Sequence, residues 1–272
     1  MMQRVAVLQM TSGIAPLENG QAIVGAIGAA AMGGASVVFT PEMSGLLDRN
    51  RNRAAQAIVP EGADPVLAMV RAAAADAGIW VALGSLAIAR DDGRWANRAF
   101  LIDPQGQIAA RYDKLHMFDV DLASGETWRE SAAYVAGDAV VTAETPLGRL
   151  GLAICYDLRF PALFEALGQA ACDVIAVPAA FTQPTGAAHW HVLQRARAIE
   201  ASAFVIAAAQ VGAHADGRQT YGHSLVIDPW GEVLLDMGGD APGLAFVELD
   251  PARIAEVRGQ VPSLANRRPI PR

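Results

Sequence analysis

The chain has 272 residues, 53% of them hydrophobic and 18% charged, with a formal net charge of -7. That composition supplies material for a large core and little for disordered tails, and the absence of a basic run argues against nucleic acid or an anionic membrane as the main partner. Two cysteines cannot build a disulfide framework, so reduced thiols and a cytoplasmic location are expected.

The N-terminal "MMQRVAVLQM" has too short an apolar run for a signal peptide and reads as a first strand. Residues 21–39 are uncharged and about long enough to span a bilayer. They are mostly Ala and Gly, however, and Gly33-Gly34 splits them, which predicts a helix, a stop and a buried strand rather than a membrane segment. From there, apolar runs alternate with Ala-rich helical stretches, the pattern of an α/β fold with buried strands.

The order of elements occurs twice. "RVAVLQM", a helix, "SVVFTPEM", the helix "DPVLAMVRAAAADAG", "IWVALGSLAI" and "FLIDPQGQIAARYD" are matched by "RLGLAICYD", the helix "PALFEALGQAA", "DVIAVPAAF", the helix "AAHWHVLQRARAIEAS", "AFVIAAAQV" and "LVIDPWGEVLLDMG". Each half ends in a strand, an Asp-Pro-x-Gly turn and a second strand, because Pro presets one turn angle and Gly supplies the unusual one. The expectation is a single domain over residues 1–272: two similar sheets packed face to face, helices outside, and an irregular tail over 261–272.

Chemistry concentrates at the strand ends, where α/β folds expose functional groups. Cys155 closes the apolar run "GLAIC" and is followed at once by polar residues. Taken alone it is either a buried thiol or a nucleophile. A thiol with an ordinary pKa of about 8.5 is mostly protonated at neutral pH, so the second role needs a base or a cation nearby. Glu42 follows "SVVFTP"; alone it could simply cap a turn. Lys114 follows "QIAARYD" and is the only lysine, the other 20 basic residues being arginine. Either it survives by chance on a solvated face, or a compact ammonium is required where a planar fork would not fit. Glu130, in "GETWRES", taken alone reads as a surface glutamate.

The blocks "FTPEMSG", "YDKLHMFDVD" and "GLAICYDLRFPALF", in this order, resemble the signature blocks of the nitrilase, or carbon–nitrogen hydrolase, superfamily, and the resemblance runs from "RVAVLQM" to "NRRP". It implies a four-layer α-β-β-α sandwich. It implies further that Cys155 is the nucleophile, Glu42 the general base, Lys114 the stabiliser of the tetrahedral intermediate and Glu130 a supporting glutamate. Backbone N–H groups near Tyr156 would share the oxyanion. "PTGAAHW", "RARAIE" and "YGHSLVIDPWG" resemble the Nit branch, which implies a small carboxylate-bearing linear amide: deaminated glutathione first, α-keto acid ω-amides second, with nitriles and N-carbamoyl compounds behind. His191 stands where that branch usually has Glu, and would alter the charge of the pocket if it lines it. Arg159 either binds a substrate carboxylate or pairs with Asp157.

No cofactor is expected. No metal site is expected either, since the five histidines are scattered, His189 and His191 point to different helix faces, and neither His-Glu-x-x-His nor Cys-x-x-Cys occurs. "YGHSLV" lacks the second glycine of a serine nucleophile elbow. A Cys–His pair using His116 or His223, and a non-catalytic scaffold or sensor, are the remaining alternatives. A homodimer or higher homo-oligomer is expected.

Overall fold

The computed structural model describes residues 1–123 and 125–268. In chain order the elements are β1 (Gln3–Gln9), α1 (Pro16–Met32), β2 (Val37–Phe39), α2 (Arg51–Ala54), α3 (Pro65–Ala77), β3 (Trp80–Ala89), β4 (Trp95–Ile102), β5 (Ile108–Asp113), β6 (Asp119–Asp121) and β7 (Thr127–Arg129). There follow β8 (Thr142–Thr145), β9 (Gly148–Leu152), α4 (Pro161–Gln169), β10 (Val174–Ala176), α5 (Gln183–Ala201), β11 (Phe204–Ala207), β12 (Val211–Ala213), β13 (Gln219–Tyr221), β14 (Leu225–Ile227), β15 (Val233–Asp236), β16 (Gly243–Leu249) and α6 (Ala252–Gln260).

Two six-stranded sheets result, ordered β16-β1-β2-β3-β4-β5 and β15-β14-β11-β10-β9-β8. In each, three parallel strands (β1, β2, β3 and β9, β10, β11) continue into an antiparallel hairpin. The repeated order of elements in the sequence is therefore a repeated sheet. Its edge strand is where the halves part. In the second sheet β8 comes from just before β9, but in the first β16 returns from the far end of the chain, pairing Gln3 with Leu249 through Gln9 with Gly243.

Side-chain alternation explains the layers. In β1, Val5 and Val7 enter the core shared by the two sheets, while Ala6 and Leu8 pack under the helices. Val37 and Phe39 of β2 likewise face the inter-sheet core and Val38 faces outward to the helix layer. A strand buried on both faces reads as a continuous apolar run, which is why these were visible in the sequence. Helix starts are equally local. Pro opens α1, α3, α4 and α5, where its missing N–H costs nothing. Asp64 caps α3 by accepting from Leu67 N–H at 2.8 Å, and Gly78, at φ +65°, ends it.

Both Asp-Pro-x-Gly turns are hairpin connections of the same build. Asp103 Oδ1 accepts from Gln105 and Gln107 N–H, and Asp228 Oδ1 from Trp230 and Glu232 N–H. Of the expected tail, residues 261–268 are irregular and fold back on the chain's own α4, where Arg267 donates to the Glu165 carbonyl; residues 269–272 lie outside the described residues. No helix among the described residues is long and apolar enough to cross a membrane.

Candidate active site

Glu42, Lys114, Glu130 and Cys155 lie far apart in sequence, yet all four line one cavity. Glu42 follows β2, Lys114 follows β5, Glu130 follows β7 and Cys155 follows β9. Each leaves a strand or ribbon at the same end of the fold.

Local backbone chemistry sets their positions. Cys155 has φ +49°, a left-handed conformation that a non-glycine residue adopts only under constraint. That constraint is visible: its N–H donates to the Pro178 carbonyl at 2.9 Å, and Asp157 Oδ2 accepts from Ile154 N–H at 2.9 Å. Asp157 also accepts from the Tyr112 hydroxyl at 2.7 Å and from His116 N–H at 3.0 Å, so one buried carboxylate ties the turn at Cys155 to the segment carrying Lys114. Glu42 is held from behind. A Cβ on Gly84 would sit 2.1 Å from the Thr40 carbonyl oxygen and 2.3 Å from that of Pro41. Only glycine lets β3 run so close beneath the segment that leads to Glu42. Ser85 Oγ then accepts from Met43 N–H, and Gln210 Nε2 donates to the Glu42 carbonyl.

The charged groups form one buried cluster. Lys114 is 2% exposed, and its Nζ donates to Glu42 Oε1 at 2.9 Å and to Glu130 Oε2 at 2.9 Å. Glu42 Oε2 accepts from Ala180 N–H at 2.9 Å, and Glu130 Oε2 from Phe118 N–H at 2.7 Å. Burial alone would neutralise these groups, but they charge one another. Burial pushes Glu42 up, yet the Lys114 ammonium and hydrogen bonds from Cys155, Lys114 and Asn97 outweigh it and hold the carboxyl below its usual range. Burial pushes Lys114 down, and the carboxylates of Glu130 and Glu42 more than restore it, so the ammonium persists well above its ordinary range. Cys155 goes the other way: burial and the Glu42 charge push its thiol well up, despite Lys114. The directions of these shifts favour a neutral thiol close to an ionised carboxylate and an ammonium. That arrangement suits proton removal during attack rather than a standing thiolate.

Asn97 was not singled out from the sequence. It is fully buried on β4, its Nδ2 donates to Glu42 Oε1 at 2.9 Å and Glu130 Oε1 at 3.1 Å, and its backbone carbonyl accepts from Lys114 N–H at 3.0 Å. The available signal was an amide inside the apolar stretch "WANRAF". Removing it should raise Glu42 towards the ordinary carboxylate range, because a donor to the charged form is lost. The expected result for Asn97→Ala is a kcat roughly tenfold lower, a smaller change in KM, and an acid limb of kcat/KM moved to higher pH. An unshifted limb would leave Asn97 a packing residue only.

The remaining expected residues separate. Tyr156 lines the cavity. Arg159 does not. Its guanidinium lies 5.8 Å from the Tyr156 ring centroid and 5.3 Å from that of Phe181, behind two wall residues, and Asp157 is committed to Tyr112 and His116 rather than to it. His191 is not among the lining residues either. The buried Trp190 precedes it, and one further residue of helix turns His191 away to Asp236, 3.0 Å distant. His116 stacks on Phe160 and bonds Asp157, so the group next to the thiol is Glu42, not an imidazole. Besides Lys114, the cations lining the cavity among the described residues are Arg49, Arg51 and Arg218, all outside the quoted motifs. The guanidiniums of Arg49 and Arg218 lie 5.7 and 5.0 Å from the Trp128 ring centroid.

A buried thiol, carboxylate and ammonium converge between two such sheets, and the family match makes the chain a hydrolase of carbon–nitrogen bonds other than peptide bonds. The chain belongs to the carbon-nitrogen hydrolase family, whose model matches residues 4–259. It is 42% identical over 264 residues to the deaminated glutathione amidase of Synechocystis sp., covering 96% of this chain and 97% of that one. Among solved structures it resembles the C. elegans NitFhit protein, with TM-score 0.90 and 36% identity over 98% of this chain; it spans 65% of the NitFhit chain. It also resembles an amidase from Nesterenkonia sp. AN1, with TM-score 0.80 and 26% identity over 95% of this chain and 98% of that one. In that structure acrylamide has added to the active-site cysteine.

Proposed function

We propose that this enzyme hydrolyses a small carboxylate-bearing linear amide through a thioester on Cys155, with deaminated glutathione as the preferred substrate and α-keto acid ω-amides next. The observation that carries the reading is the Lys114 ammonium bonded to both Glu42 and Glu130 beside the Cys155 thiol.

Glu42 takes the thiol proton as sulfur attacks the amide carbon. The carbonyl oxygen gains the negative charge and is stabilised by Lys114 and by backbone N–H at Tyr156. Glu42 returns the proton to nitrogen, the C–N bond breaks and ammonia leaves. Water, deprotonated by the same carboxylate, attacks the thioester, and the acid departs with the thiol restored. Glu130 keeps the ammonium in place throughout. An amide presents an oxygen for Lys114 and needs a single proton to expel its nitrogen, whereas a nitrile must gain both protons and water; the amidase names of the relatives favour the amide.

An anionic substrate entering a chain of charge -7 needs local cations. Arg49 and Arg218 over Trp128 suit this better than Arg159, because they line the cavity. Arg218 is bonded to the buried Asp216 at 2.7 Å, so Arg49→Ala is the cleaner test. It should raise KM for deaminated glutathione about tenfold while leaving hydrolysis of a neutral amide such as propionamide unchanged. Equal effects on both amides, or none on either, would contradict the assignment. Two reduced thiols suit the cytoplasm, and exposed Val192 and Ile199 on α5 suit burial against a second copy as a homodimer or larger homo-oligomer.

A further inference from the structure

Away from the cavity, three side chains that no sequence motif links converge at the surface. His191 stands on α5, His223 in the turn between β13 and β14, and Asp236 at the end of β15. His191 Nε2 lies 3.0 Å from Asp236 Oδ2, and His223 Nδ1 lies 2.8 and 3.1 Å from the two Asp236 oxygens. The three ligand atoms fall within 4.8 Å of one another. Donors at roughly 2.0–2.2 Å from a common tetrahedral ion stand about 3.3–3.6 Å apart, so ring rotations that draw in the widest pair by about an ångström let a cation fit.

The cluster is also supported from outside. His223 has φ +53°, and its backbone is fixed on both sides: its N–H donates to Gly238 O at 2.7 Å and its carbonyl accepts from Trp190 Nε1 at 2.7 Å. Its ring stacks on Tyr221 at 4.4 Å between centroids, and Asp236 Oδ1 accepts from Gly238 N–H at 2.9 Å. Such contacts fix ring orientation, as supporting contacts do around bound metals. The side chains are a quarter to a third exposed, leaving room for water to complete a coordination shell.

We propose that His191, His223 and Asp236 bind one divalent transition-metal ion of the zinc class, with water in the remaining position. Two imidazoles and one carboxylate match the nitrogen and oxygen preference of zinc, cobalt and nickel rather than that of calcium or magnesium. The ion joins α5, the turn after β13 and the end of β15. Because β13 supplies Gln219 and Thr220 to the cavity wall, it also braces that wall.

The test is zinc binding, by calorimetry near neutral pH, to the full-length Cys155→Ala protein. That background removes the cavity thiol as a competing ligand, and Cys172 is fully buried. One zinc per chain is expected, with melting temperature raised by roughly 5 °C at a hundredfold excess over Kd. Adding His191→Ala or Asp236→Asn should weaken binding at least about tenfold and cut the thermal shift at the same zinc concentration to about half or less. Adding His189→Ala, on the same helix but bonded to Arg159, should change neither. Absence of zinc binding, or equal affinity in the His191→Ala and His189→Ala proteins, would overturn the proposal and leave a His–Asp–His hydrogen-bonded network.

Discussion

Replacing Cys155 with Ala should lower ammonia release by at least about 10³-fold, whereas Cys172→Ala should retain most of it. Both thiols are buried and both are pushed up by burial, Cys172 to about 12. Their surroundings differ in what can lift the proton. Cys155 lies beside the Glu42 carboxylate within the cavity, while Cys172 packs between β9 and the end of α4, outside the cavity lining, with the Asp173 and Glu144 carboxylates acting on it only as nearby charges. Cys172→Ala therefore opens a small void, at a cost of roughly 1 kcal/mol of stability, without touching the chemistry. Equal ammonia release from the two variants would refute the assignment of the nucleophile.

Lys114→Arg should lower kcat by about 10²-fold or more while the protein still folds. The substitution keeps the positive charge between two buried carboxylates, so it avoids the several kcal/mol that an uncompensated buried charge costs. It changes the shape of the cation. Nζ now reaches Glu42 and Glu130 from one point, at 2.9 Å each. A planar guanidinium in the same space, 2% exposed, must move at least one carboxylate and displace the donor from the oxyanion. Near wild-type turnover in this variant would mean that the charge alone matters and its position does not.

Much of the fold could be read from the sequence because its determinants are local. Strands such as β1 and β2 are apolar on both faces, Pro and Gly punctuate the helices, and two Asp-Pro-x-Gly turns mark the hairpins. What stayed hidden depends on long-range pairing. The strand "GLAFVEL" carries no sign that it returns to Gln3, since any half-buried strand would read the same. The same division runs through the site. Cys155, Lys114 and Glu42 stand at strand ends, each ambiguous alone and singled out together only through the family blocks, but Asn97 is one amide within a strand, and its partners become apparent only when β4 lies beside β5. Arg49, Arg51 and Arg218 resemble any surface arginine until the loops bring them to the cavity, Arg49 and Arg218 over Trp128. His191 is the converse case. Its place next to "HW" suggested a pocket residue, and the helical rotation past Trp190 carries it outside.

The central claim is that the Cys155 thiol forms the bond to substrate. Iodoacetamide labelling of the native protein, followed residue by residue with peptide mass mapping and in parallel by ammonia release, tests it most directly. Cys155 should be alkylated much faster than Cys172, activity should fall in proportion to Cys155 labelling, and a saturating amide substrate should slow both. Full alkylation of Cys155 with activity intact, or similar slow labelling of both cysteines, would contradict the account.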